Sequence, residues 1–99
     1  MVVVPINAEA NQNFTVQLGG QNCAVSIYQK STGLFLDLAV DETVILQTQI
    51  CLDRVYLVRY NYLGFIGNLA FMDQEGGDAP YYTGLGTRFV LGYFSPDEL

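Results

Sequence analysis

Phe14, Val16 and Leu18 alternate with Thr15 and Gln17, and after Gly19-Gly20-Gln21 the alternation resumes at Cys23, Val25 and Ile27. Period-two alternation broken by a glycine pair predicts two antiparallel strands and a tight turn. A two-residue type II′ loop at Gly20-Gln21 puts glycine where φ is positive and pairs Leu18 with Cys23, Val16 with Val25 and Phe14 with Ile27. Every apolar residue then falls on one face. The turn-rich tetrapeptide Lys30-Ser31-Thr32-Gly33 leads into Leu34, Leu36, Leu38 and Val40, again at period two. A four-residue loop there sets Leu36 opposite Ile27 and Leu38 opposite Val25, extending the meander to a third strand with Ser26 and Asp37 pointing outward.

Asp41-Glu42 opens a further turn into Val44-Ile45-Leu46, but neither residue favours the positive φ of a primed turn, so the register beyond it stays open. From Leu52 to Leu63 the pattern is mixed, with Arg54 and Arg59 among Val55, Tyr56, Leu57, Val58, Tyr60 and Tyr62. It fits a strand covered on both faces, or a short helical turn near Asp53. Asn68 to Asp73 reads as a strand that ends in the polar loop Gln74-Glu75-Gly76-Gly77-Asp78-Ala79-Pro80. Thr87 to Phe94 reads as a last strand, with Phe89, Leu91 and Tyr93 on one face and Val90 and Phe94 on the other. No 3.6-residue periodicity, repeat or linker interrupts this series. The expected fold is therefore one all-β domain spanning 1–99, a small antiparallel β-sandwich or flattened barrel built from consecutive hairpins, with 1–6 and 95–99 loose or docking tails.

Composition sharpens that picture. The chain has 99 residues, 51% of them hydrophobic and only 14% charged. A domain of this size buries roughly two-thirds of its unfolded surface, so this much apolar side chain leaves a surplus for a partner. The net charge is −6, and the four basic residues Lys30, Arg54, Arg59 and Arg88 form no cluster, which argues against nucleic acid. Val2-Val3-Val4 is ended by Pro5 far short of a signal peptide or membrane span, so no membrane is expected and the chain should be made in the cytoplasm. Cys23 and Cys51 could form one disulfide, but in that compartment and in strand positions they read rather as two buried thiols acting as small apolar residues.

Histidine is absent, which removes the commonest general base, the usual nucleophile triads and the commonest zinc ligand together. Asp37, Asp53 and Asp73 could supply paired carboxylates, but a glycosidase would also need a formed cleft with sugar-stacking surfaces, and tryptophan is absent. Asp73, Glu75 and Asp78 lack the alternating ligand spacing of a calcium loop and read as a solvated hairpin tip. Gly84-Leu85-Gly86 has no following helix to hold a phosphate and reads as a bend. No enzyme activity, catalytic residue, cofactor or metal is expected.

Two blocks carry a resemblance. One runs from Asn11-Gln12-Asn13-Phe14-Thr15-Val16-Gln17-Leu18-Gly19-Gly20-Gln21 through Ser26-Ile27-Tyr28-Gln29-Lys30-Ser31-Thr32-Gly33-Leu34. The other runs from Tyr62-Leu63-Gly64-Phe65-Ile66-Gly67 through Tyr82-Thr83-Gly84-Leu85-Gly86-Thr87-Arg88. Together they resemble the baseplate plug family of contractile-tailed bacteriophages, over nearly the whole chain from Pro5 to Phe94. The resemblance implies a virion structural protein on the central axis of the tail baseplate. It would be present in multiple copies, contact hub, spike and tube, and close the tube before contraction. It brings no catalytic residues.

The apolar surplus points to the C-terminal segment as the partner surface. Tyr81 and Tyr82 offer large area at small entropy cost, with one ring expected inward and one presented. Val90 and Phe94 share the strand face that also carries Arg88, a residue better suited to a wet rim than a sealed core. The expected interface is thus Tyr81, Tyr82, Arg88, Val90 and Phe94. Two other classes fit the residues: a carbohydrate or receptor-binding module using Tyr81 and Tyr82, and a small inhibitor of a host protein.

Overall fold

The structure, a computed structural model, describes residues 1–58 and 65–98. Its strands are β1 (Val2–Val4), β2 (Asn11–Leu18), β3 (Gln21–Lys30), β4 (Gly33–Val40), β5 (Thr43–Ile50), β6 (Asn68–Asp73) and β7 (Phe89–Phe94). They form a four-stranded antiparallel sheet in the order β2-β3-β4-β5 and a three-stranded one in the order β1-β7-β6. The fold is a sandwich of consecutive hairpins and not a closed barrel. Between the sheets lies one apolar core, in which Val25, Ile27, Leu34, Leu36 and Leu38 from the larger sheet meet Val4, Leu69, Phe71, Leu91 and Tyr93 from the smaller.

The first hairpin turns one residue earlier than its sequence suggests. Gly19 and Gly20 are the two loop residues, both at positive φ (60° and 76°), which is the type I′ signature. Leu18 therefore pairs with Gln21, Val16 with Cys23 and Phe14 with Val25. The expected pairing is displaced by two residues, one full side-chain period, so the apolar set stays on the core face. At the second turn the loop is Ser31-Thr32, closed by Lys30 and Gly33, and the expected pairs Ile27 with Leu36 and Val25 with Leu38 form.

The third turn is primed despite its residues. Asp41 (φ 48°) and Glu42 (φ 71°) both occupy the left-handed region, and Val40 pairs with Thr43. One local device supports the turn: the Asn22 amide donates to Asp41 Oδ1 at 3.1 Å while the Asp41 amide donates to Asn22 O at 2.9 Å. Beyond it β5 is irregular, with register shifts opposite Leu36 to Ala39 and Thr48 at φ 53°. Asp37 Oδ1 accepts from the Thr48 amide at 2.7 Å and from the Tyr28 hydroxyl at 2.8 Å, so the bulged amide keeps a partner.

No strand forms over 52–58. That segment is irregular, with a turn at Arg54 (φ 55°), and it covers the outer edge of β6. The Arg54 amide donates to Phe71 O at 2.7 Å and the Leu57 amide to Leu69 O at 2.8 Å. The rest of the expected strand, including Arg59, Tyr60, Tyr62 and Leu63, lies outside the described residues. Val2–Val4, within the segment expected to be a loose or docking tail, pairs antiparallel with Leu91–Tyr93. Pro96–Glu98 forms a single 3₁₀ turn. Both cysteines are buried free thiols, and burial pushes the Cys51 thiol up to about 12.

Candidate partner interface

Side chains of β7 alternate, so Phe89, Leu91 and Tyr93 enter the core and Val90, Gly92 and Phe94 face away from it. Antiparallel register adds residues to this outer face: Met72 stands opposite Val90, Ala70 opposite Gly92, and Val3 opposite Gly92 on the other side. Val90, Phe94 and Met72 are half-buried and Val3 is 55% exposed. A Cβ at position 92 would lie 2.5 Å from Met1 Sδ and 2.8 Å from Met72 Cε, so glycine there lets two methionine side chains lie flat on the sheet. Tyr56, 43% exposed, meets the Phe94 ring edge-on at 5.6 Å between centroids. The result is an outward surface of thioether, aliphatic and aromatic groups carried on paired strands.

The five expected interface residues do not form one patch. Val90 and Phe94 share the outer face just described. Tyr81 and Tyr82 sit on the connection before β7, with ring centroids 5.0 Å apart. Tyr81 is 50% exposed, while Tyr82 is half-buried against the core and its amide donates to Gln29 Oε1 at 3.2 Å. That bond puts the tyrosines at the Lys30 end of the larger sheet. Phe94 lies at the other end, where its neighbour Tyr93 reaches a hydroxyl to Ile66 O beside Gly19.

Arg88 has a different occupation. Its Nε and Nη2 each donate to the Asp73 carboxylate at 2.9 Å in a two-pronged pair, and Nη2 also donates to Asp78 Oδ2 at 2.8 Å. The guanidinium carbon stands 5.0 Å from the Phe89 ring centroid. Asp73 is not part of a solvated tip. Its side chain is fully buried, and it also accepts the amides of Glu75 and Asp78, both at 2.9 Å. Hydrogen bonds from Arg88, then those two amides, hold the Asp73 carboxyl well below the usual carboxylate range against the opposing effect of burial. The pair ties the loop after β6 to the start of β7. Among the described residues no group of three or more histidine, cysteine or carboxylate side chains is arranged to hold a metal ion.

Sequence reasoning missed Val3, Met72 and Tyr56 on the outer face. The β-branched run Val2-Val3-Val4 and the parity of Met72 within Asn68–Asp73 were the available signals, but only the β1–β7 and β6–β7 registers bring them beside Val90 and Phe94.

The fold and this surface define a small antiparallel β-sandwich with an apolar outer sheet face, the form of a subunit that works by contact with other proteins. A family model described as "Cyanophage baseplate Pam3 plug gp18" matches residues 1–96, and the chain belongs to this family of baseplate plugs. Membership implies a structural role in the virion tail baseplate, in association with other baseplate components. No curated protein matches the chain.

Proposed function

We propose that this protein sits on the central axis of a contractile tail as the baseplate plug, contacting hub and spike and closing the tube before contraction. It is made and assembled in the host cytoplasm, is held in several copies on a three- or six-fold arrangement set by its neighbours, and acts by occlusion and not by catalysis. The observation that carries the reading is the outer face of the β1-β7-β6 sheet. Val3, Met72, Val90 and Phe94 make it apolar, and an acidic chain of net charge −6 has enough carboxylates elsewhere to stay soluble before docking. In this reading Val90 and Phe94 form the centre of the contact, and Tyr81 with Tyr82 forms a second contact at the opposite end. Arg88 acts at one remove, by fixing the loop on which the tyrosines are carried.

The test is incorporation. Val90→Ser with Phe94→Ser removes apolar area from the outer face without entering the core, so the isolated chain should keep its fold and be missing from purified tails. Normal incorporation of that variant would move the contact to another surface. Density for the wild-type chain away from the baseplate axis in electron micrographs of tails would overturn the plug assignment itself.

A further inference from the structure

A sandwich of two open sheets has four edges, and three of them are closed to pairing. The β6 edge is occupied by residues 53–58 through the Arg54 and Leu57 amides, and Asn68 brackets Val58 with bonds of 2.9 and 2.7 Å. The β5 edge is bulged, with Thr48 turned into the left-handed region. The β1 edge is three residues long. Bulges, cover and shortness are the ordinary protections against edge-to-edge association.

Among the described residues, β2 has none of them. It runs eight residues in unbroken register with β3, without proline, bulge or charge. No charged side chain occurs anywhere from Ala10 to Gln29, although the chain carries ten carboxylate side chains. The Gln29 amide donates to Ala10 O at 2.8 Å, and hydrogen-bonded pairs alternate along an antiparallel ladder. The inward bonds therefore belong to the even residues of β2, and the amides and carbonyls of Asn11, Asn13, Thr15 and Gln17 point to the open edge. All four residues are exposed, and among the described residues nothing caps them. On the core side of the same strand Phe14 and Val16 pack against the core but remain half-buried, because no strand stands beside them.

We infer that β2 is the self-association edge of this protein, pairing antiparallel with β2 of a second copy to make one continuous eight-stranded sheet. The occupant follows from charge. Two chains of net charge −6 repel, and their closest approach must use surface without carboxylates. A basic partner would instead draw on acidic residues that this strand lacks. A two-fold axis at Phe14 uses all four outward residues, setting Asn11 against Gln17 and Asn13 against Thr15 of the second copy and the two Phe14 rings side by side. This association is independent of the chain's place in the tail.

The experiment is sedimentation of the full chain over a range of concentrations, with amide hydrogen exchange on the same samples. The expected result is a mass that rises from 11.0 kDa toward twice that value, with the Asn13, Thr15 and Gln17 amides slowing as it does. Thr15→Pro removes only an outward amide, and Asn13→Lys with Thr15→Lys opposes like charges across the axis. Each should weaken association at least about tenfold while leaving the melting temperature near that of the wild type. The lysine variant decides the matter should the proline variant unfold. A chain that stays monomeric, or a dimer that survives the lysine substitutions, overturns the inference. Protection of these amides only when another tail protein is added also overturns it, by assigning the edge to that protein.

Discussion

Gly19 and Gly20 are adjacent, share a turn and both have positive φ, yet they do different things. A Cβ at Gly20 would meet nothing within 4 Å, whereas one at Gly19 would stand 2.6 Å from the Tyr93 hydroxyl and 3.0 Å from Ile66 O. Gly20→Ala should therefore cost only the left-handed strain of an L-residue, about 1 kcal/mol. Gly19→Ala should cost that plus the displacement of Tyr93 from its hydrogen bond, together about 2–4 kcal/mol. Denaturant melts of both variants check this, and equal losses would mean that Tyr93 yields freely. At Asp73 the test is pH. Its carboxyl is more acidic folded than unfolded, so its contribution is fully present above its ordinary value of 3.8 and is lost as pH falls through the lower folded value. Asp73→Asn should thus be less stable than the wild type by a constant margin from pH 8 to about pH 5, and the margin should close only in strong acid. A margin that closes near neutrality would point to another group. The difference between the glycines was not legible in the sequence, because the contact with Tyr93 spans most of the chain. Nor was the burial of Asp73, which in sequence stands among polar loop residues and is drawn inward only by Arg88 beyond the loop.

At the scale of elements, alternation was a good guide wherever a strand has one wet face. β2, β3 and β4 lie where Phe14 to Leu18, Cys23 to Ile27 and Leu34 to Val40 place them, and the misjudged first turn did no harm because a two-residue displacement preserves parity. Alternation failed over 52–58, where apolar side chains serve irregular backbone that covers an edge. The turn at Asp41-Glu42 was illegible for a different reason: two acidic residues adopt a conformation that asparagine and glycine favour, held there by the pairing on either side. That makes it a site for stabilisation. Glu42→Gly relieves a left-handed residue at φ 71° and should raise stability by about 0.5–1 kcal/mol after the added freedom of the unfolded chain. Asp41 is left in place, since it accepts the Asn22 amide. A thermal melt that falls in this variant would show that the Glu42 side chain contributes more than its backbone costs.

Taken whole, the molecule divides its two sheets by how they are connected. The larger sheet is made entirely of neighbours in sequence, each joined to the next by a two-residue turn, whereas the smaller needs β1 to find β7 from the far end of the chain. Closing a long loop carries an entropic penalty before any contact rewards it, while a hairpin closes within about 10 μs. The β2–β5 meander should therefore be ordered in the folding transition state, with β1 added late. Val25→Ala should slow refolding nearly in proportion to the stability it removes, and Val4→Ala should chiefly speed unfolding. The reverse pattern in stopped-flow traces would put the nucleus in the smaller sheet. β1 also contributes Val3 to the outer apolar face, so if β1 docks last and that face is the contact proposed above, a chain still in the act of folding would have no finished surface to offer a partner.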